Sequence, residues 1–466
     1  MNIFRTKSID LMLQETKKHS LVKSLGALDI LLIGIGVIIG TGIFVLTGVA
    51  AAKYAGPGLM LSFVLAGLTV AFVSLAYSEL ASMVPIAGSA YTYTYTSVGE
   101  FAAWLVGCGL VLEYTVGASA VAGGWSAYLT GILKSAGIHL PKALTAVPAD
   151  GGIINLPAVA ITLFLTFLLV RGVKESAKLN KILVAVKLGA IFLFLLLAGP
   201  KVDPTNWTPF LPYGWAGVSA GAAVIFFAYL GIDSIATAAE EAKNPTRDMP
   251  IGILGSLVVC TILYIGVTAV MTGTTPYTQL DTAEPVTFVL RNLGYNFGSA
   301  IVGTGAIAGL TTVLMVMMYA QSRAFFAMSR DGLIPSKLGK IHPKFGTPYR
   351  LSIIVGCAVS IMSGFTPIHV VAEMCSIGTL FAFFMSIIGV MVLRKTKPNM
   401  ERPFKCPGLF IIGPLALIFC AFVISNLPGQ TWINFSIWMT IGIVFYFVYS
   451  RKNSALNKSQ ASSNNG

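Results

Sequence analysis

The stretch Ile33–Gly48, "IGIGVIIGTGIFVLTG", has the composition of a membrane span and carries its own interruptions. A span needs about 20 consecutive, mostly apolar residues, and the run from 27 to 52 supplies them. Gly34, Gly36, Gly40 and Gly42 lie within it, and each glycine weakens a helix by about 1 kcal/mol relative to alanine. Unwound backbone at membrane depth is tolerated only where protein or an aqueous cavity receives its polar groups. Two readings follow. The glycines permit a break that presents main-chain donors and acceptors, or they are small packing residues, since Gly36 and Gly40 form a GxxxG.

The rest of the chain sets the same environment. Charged residues are 11% of the 466 residues, hydrophobic ones 55%, and the mean hydropathy is +0.80. That balance excludes an ordinary soluble domain. The fold class expected is an all-α integral membrane protein with about 12 transmembrane helices, over apolar stretches near 27–52, 58–83, 101–133, 155–171, 179–199, 216–240, 251–273, 298–329, 349–364, 369–394, 408–426 and 430–450. The amino-terminal segment is polar and holds five basic residues, which predicts no cleavable signal peptide. With both termini inside, 25 of the 31 lysines and arginines fall in cytoplasmic segments, as short cytoplasmic loops require. The net charge of +13 is then a topology signal and argues against a nucleic-acid partner. Six cysteines lack paired metal-type spacing and read as small apolar residues.

The organisation expected is a cytoplasmic segment 1–26, a first half 27–199 with spans one to five, and a second half 200–394 with spans six to ten. Two further helices fill 395–450, and a disordered cytoplasmic tail occupies 451–466. The first span of each half is the interrupted one. In the sixth, "AGAAVIFFAYLGIDSIATAAEE", Gly231 and Asp233 break an apolar run. Five spans per half make the halves run in opposite directions, the inverted arrangement of many secondary transporters. A half-helix restarting after a break offers partial positive charge to a carboxylate, while unwound carbonyls accept from an ammonium group. That pair of functions fits the backbone of an amino acid.

An ionisable residue inside a span costs at least about 2.5 to 3.5 kcal/mol at the centre of a lipid-facing helix, so each is a functional candidate. Lys187, in "NKILVAVKLGAIFLFLLLAG", lies six residues beyond Lys181, about 9 Å further along a helix, and should face the interior. A buried lysine that can lose its proton during a cycle would couple transport to protons; the alternative is a fixed cation tying its helix to carbonyls of the broken one. Glu113 sits mid-span in "GLVLEYTVGAS" and Asp233 follows the second break. Either would meet a substrate ammonium or side chain, or serve as an interhelical hydrogen bond and a helix cap respectively. Glu79, Glu240 and Glu241 lie near span ends, where solvation by the interface accounts for them.

Four segments carry a resemblance: "GIGVIIGTGIFVLTG", "AYSELASMVPIAGSAYTYTYTSVGE", "FFAYLGIDSIATAAEEAKNPTRDMP" and "SRDGLIP". Together they resemble the amino acid–polyamine–organocation superfamily, and in particular bacterial relatives of the cationic amino acid transporters. The resemblance implies a five-plus-five inverted repeat with substrate at the breaks of the first and sixth helices. It places contacts on Ile38, Thr41 and Gly42, and on Phe227, Ala228 and Leu230. Lys187 matches a lysine that replaces a sodium ion in sodium-independent members. Met317 matches a pocket position that is smaller and polar in eukaryotic cationic carriers, a departure that counts against arginine or lysine as substrate. Arg247 and Asp248 would belong to a cytoplasmic gate.

The expectation is a plasma-membrane permease that takes up neutral or varied amino acids with protons. Its partners would be a small-molecule amino acid, protons and membrane lipid, with no cofactor and no metal. A cationic amino acid transporter or an exchanger is the rival within the class. A membrane-embedded enzyme or an amino acid sensor is the rival outside it; the four histidines show no metal-ligand pattern with carboxylates. Nothing in the sequence sets an oligomeric state.

Overall fold

The computed structural model describes residues 5–7, 25–83, 89–172, 177–232, 235 and 242–458. Among them every regular element is helical. The first helix, α1 (Ala27–Ile38), stops at a break over residues 39–41 and resumes as a π-helical turn, Gly42–Leu46, that continues to Ala55. There follow α2 (Leu59–Met83), α3 (Ser89–Ser97), α4 (Glu100–Ser135), α5 (Leu156–Arg171), α6 (Ala177–Ala198) and α7 (Gly214–Ile225). The 3-10 turn Phe226–Tyr229 ends α7, and α8 (Pro245–Thr274), α9 (Pro285–Asn292) and α10 (Asn296–Arg330) come next. The chain closes with α11 (Tyr349–Phe365), α12 (Ile368–Thr396), α13 (Leu409–Ser425) and α14 (Gly429–Phe445). Apart from α3 and α9, these helices overlie the apolar stretches of the sequence to within a few residues, and the sixth stretch leaves its helix at Tyr229.

Local signals explain the boundaries. Asp29 accepts a hydrogen bond from Gly26 N at 3.0 Å to open α1, and Asn155 accepts from Ala158 N to open α5. Proline fills the first turn of α5, α8 and α9, where its missing N–H costs nothing. Gly172 ends α5 with φ +80°, the left-handed conformation glycine allows.

Seven of the described helical segments are long and apolar enough to cross a membrane, and five shorter apolar helices accompany them. In α4, 94% of the most apolar window is buried in the protein, against 22% in the segment Gly429–Lys458. Thus α4 is the central post, packed on α10 and α12, and α14 presents Ile433, Ile437 and Ile441 outward. The broken α1 packs along α8, and α6 packs on α10.

Two expectations are corrected here. The tail does not become disordered at 451: residues 451–458 are largely helical, and Ser454 donates to the buried carboxylate of Glu100. Arg5 joins the same carboxylate through Nε at 3.0 Å and a terminal nitrogen at 2.9 Å, and reaches Asn457 at 2.8 Å. Arg5 and the segment around Ser454 and Asn457 therefore meet at the start of α4. Glu79 is not solvated by an interface but fully buried. Arg394 and Arg402 pair with it, and Cys406 N donates to it at 2.8 Å, which satisfies the charge in place of water.

Candidate functional site

The two interruptions meet. Gly42, at the start of the π-helical turn, packs so tightly on Ala228 of the 3-10 turn that an added Cβ would collide with Ala228 Cβ and Cα and lie 3.2 Å from its N. Reciprocally, Gly231 holds φ +95°, and an added Cβ there would strike the side chain of Val37, with Val37 Cβ at 3.2 Å. Glycine is required at both points, by space at the first and by space and backbone conformation at the second. The packing reading of the GxxxG also holds in part, because the place of a Gly40 Cβ lies 3.3 Å from Val313 of α10.

The last carbonyls of a helix have no intrahelical donor. At the end of α1, Ile35 O accepts from Ile39 N at 2.9 Å. Gly36 O accepts from Lys187 Nζ at 2.5 Å, and Ile38 O lies 2.8 Å from the hydroxyl of Tyr264 on α8. The same hydroxyl is 2.8 Å from Ala228 O. A hydroxyl has one proton, so it serves one of these two carbonyls at a time and leaves the other as an acceptor.

Lys187 is buried, with 1% of its surface exposed, as its lone position in an apolar helix predicts. Its ammonium meets the negative end of the α1 dipole. Its stem lies beside Gly309 of α10, where an added Cβ would be 2.9 Å from Lys187 Cγ and Cε. Along α10, Gly309 therefore faces Lys187, Val313 faces Gly40, and Met317, another turn on, faces Gly117 of α4 at 3.0 Å from the place of its missing Cβ.

The resumed half of the first helix offers amides at its amino end. Thr41 is buried there, and its hydroxyl has no hydrogen-bond partner. Leu230 ends the 3-10 turn in an extended conformation with ψ 149°. Thus Ile38, Thr41, Gly42, Phe227, Ala228 and Leu230 are all brought to the junction of the breaks. Glu113 is buried on α4, where its main-chain carbonyl accepts from Cys375 Sγ of α12 at 3.2 Å, one turn from Gly117. Asp233, like Glu240 and Glu241, lies outside the described residues.

Sequence reading missed Tyr264, Gly309, Gly117 and Thr268. Thr268 is one turn beyond Tyr264 and holds a buried hydroxyl without a partner. None of the four carries a charge or an unusual spacing; only their surroundings in the fold distinguish them.

An apolar helical bundle whose two interrupted helices turn spare main-chain groups toward each other defines a multi-pass membrane carrier for a small polar solute. The amino acid permease family profile matches residues 25–448, and the chain belongs to that family. It is 48% identical to the branched-chain amino acid permease BcaP of Bacillus subtilis, over 98% of this chain and 99% of that one. It is 44% identical to a methylthioribose transporter of the same organism, over 98% and 100%. It is 36% identical to the vacuolar cationic amino acid transporter 4 of Arabidopsis thaliana, over 85% and 68%. These relatives are transporters, not enzymes.

Proposed function

We propose that this permease takes up neutral amino acids with protons across the cell membrane, holding the substrate backbone between the two helix breaks. The amides near Thr41 and Gly42 bind the carboxylate. The carbonyls of Ile38, Phe227, Ala228 and Leu230 form the acceptor set for the ammonium group, and Tyr264 cedes one of them. The observation that carries the coupling is the 2.5 Å hydrogen bond from Lys187 Nζ to Gly36 O. It ties the end of α1 to a buried lysine, whose charge, when present, answers the helix dipole there.

The reading extends to the architecture. Residues 27–199 and 200–394 form two inverted halves of five helices, 395–450 adds two more, and both termini are cytoplasmic. The meeting of Arg5 with Asn457 supports termini on one side, and the basic excess assigns that side to the cytoplasm.

Met317 closes the side-chain end of the pocket in this reading, and the neutral preference has its support in Met317 and in the 48% identity to a branched-chain permease. The cationic reading rests on Glu113, buried one turn from Gly117, and on Asp233, which lies outside the described residues. Met317→Ser removes apolar bulk and adds a hydroxyl. In proteoliposomes, with labelled alanine competed by each amino acid in turn, it should raise arginine potency relative to alanine by about 10-fold or more, the scale at which a hydrophobic pocket senses a methylene or two. Arginine competing as well as alanine in the wild type would favour the cationic reading.

A further inference from the structure

We infer that Gly117 sets the size of side chain this permease accepts, by giving Met317 room to lie back from the substrate. The inference rests on the proposed placement of the substrate at the breaks, with its side chain toward Met317.

Three helices converge at this point. The place of a Gly117 Cβ on α4 is 3.0 Å from Met317 Cε on α10, 3.6 Å from Met317 Sδ, and 3.0 Å from Cys375 Sγ on α12. A Cβ contact of 3.0 Å is closer than side chains ordinarily tolerate, so the thioether occupies the space that glycine leaves. A methyl group at 117 would displace Met317, the flexible partner. The thiol of Cys375 on α12 is just as close to the same point, so an added methyl group crowds α10 and α12 together.

In this inference the displaced thioether moves toward the break. On α10, Val313 touches Gly40 of the break, and Met317 follows one turn later, about 6 Å along the helix. Val313 and Met317 each keep 5% of their surface accessible, while Leu310, Leu314 and Met318 keep none. Val313 and Met317 thus share one face of α10 and a little accessible surface, the space into which the thioether would move. A thioether pushed into it shortens the room for the substrate's side chain by about a methyl group. Branched side chains should lose more than the methyl of alanine, and Gly117 is the specificity-determining position although it need not touch substrate.

The test is competition for labelled alanine uptake by unlabelled alanine and valine in proteoliposomes, normalised to reconstituted protein, for the wild type, Gly117→Ala, Met317→Ala and the double variant. Gly117→Ala should lower the potency of valine relative to alanine by about 10-fold, and the double variant should restore it. A ratio unchanged in Gly117→Ala but shifted in Met317→Ala would overturn this inference while leaving the pocket reading standing. A ratio unchanged in both would overturn the inference and the pocket reading together. Should Gly117→Ala fail to reconstitute, Cys375→Val adds bulk from α12 and should lower the same ratio; an unchanged ratio there overturns the inference.

Discussion

Lys187→Ala should abolish accumulation driven by an inward pH gradient, leaving labelled alanine at its equilibrium level inside proteoliposomes. The ammonium of Lys187 is the donor to Gly36 O at 2.5 Å, and charge-assisted hydrogen bonds of this kind contribute about 1.5 to 3 kcal/mol. Its removal leaves a buried carbonyl at the end of α1 without its donor and removes the charge that answers the helix dipole there. In the proposed coupling, the cycle then has no proton to carry. Lys187→Arg separates the two losses, because a guanidinium keeps the positive charge and does not release its proton. It should lose pH-driven accumulation even where it still exchanges alanine for alanine. Unchanged pH-driven accumulation in Lys187→Ala would remove the lysine from the coupling, and a sodium requirement in the wild type would do the same.

Gly42→Val should weaken alanine binding by about 10- to 100-fold, the cost of losing one charge-assisted hydrogen bond. The reason is steric before it is electronic. A Cβ at 42 would collide with Ala228 Cα and Cβ, so one break must move away from the other, and the amides and carbonyls that face each other across the junction part. Because the backbone of Ala228 is involved, Ala228→Gly should rescue Gly42→Ala only in part and Gly42→Val hardly at all. Equilibrium binding of labelled alanine to purified protein checks this. Wild-type affinity in Gly42→Val would show that the close approach of the breaks is not needed.

Much of this architecture is legible in the sequence, for physical reasons that differ from residue to residue. The helices follow from apolar run length, and the break in α1 from glycines where a continuous helix would be stronger with alanine. Lys187 announces its burial because a lone cation deep in an apolar helix has few places to go. What the sequence does not carry is partnership across distance. Tyr264 resembles any tyrosine in an apolar helix until Ile38 O and Ala228 O are found 2.8 Å from its hydroxyl. Gly117 and Gly309 look like packing glycines until Met317 and Lys187 occupy the space they leave. The tail after 451 is polar and of low complexity, so composition alone predicts disorder. Glu100, 354 residues away from Ser454, orders its first turns. Glu79 reads as solvated in the sequence because its partner Arg394 is 315 residues distant.

The proposed function turns on recognition of the substrate backbone by the two breaks. Its most direct measurement is competition for labelled alanine uptake by alanine, alanine methyl ester and ethylamine in one assay. The methyl ester removes the carboxylate's charge and ethylamine removes the carboxylate itself, while both keep the amine and the small apolar group. Each should compete about 10- to 100-fold less well than alanine, as expected for losing one charge-assisted hydrogen bond at the amides near Thr41 and Gly42. Equal potency of all three would contradict the account and leave the interrupted helices as packing.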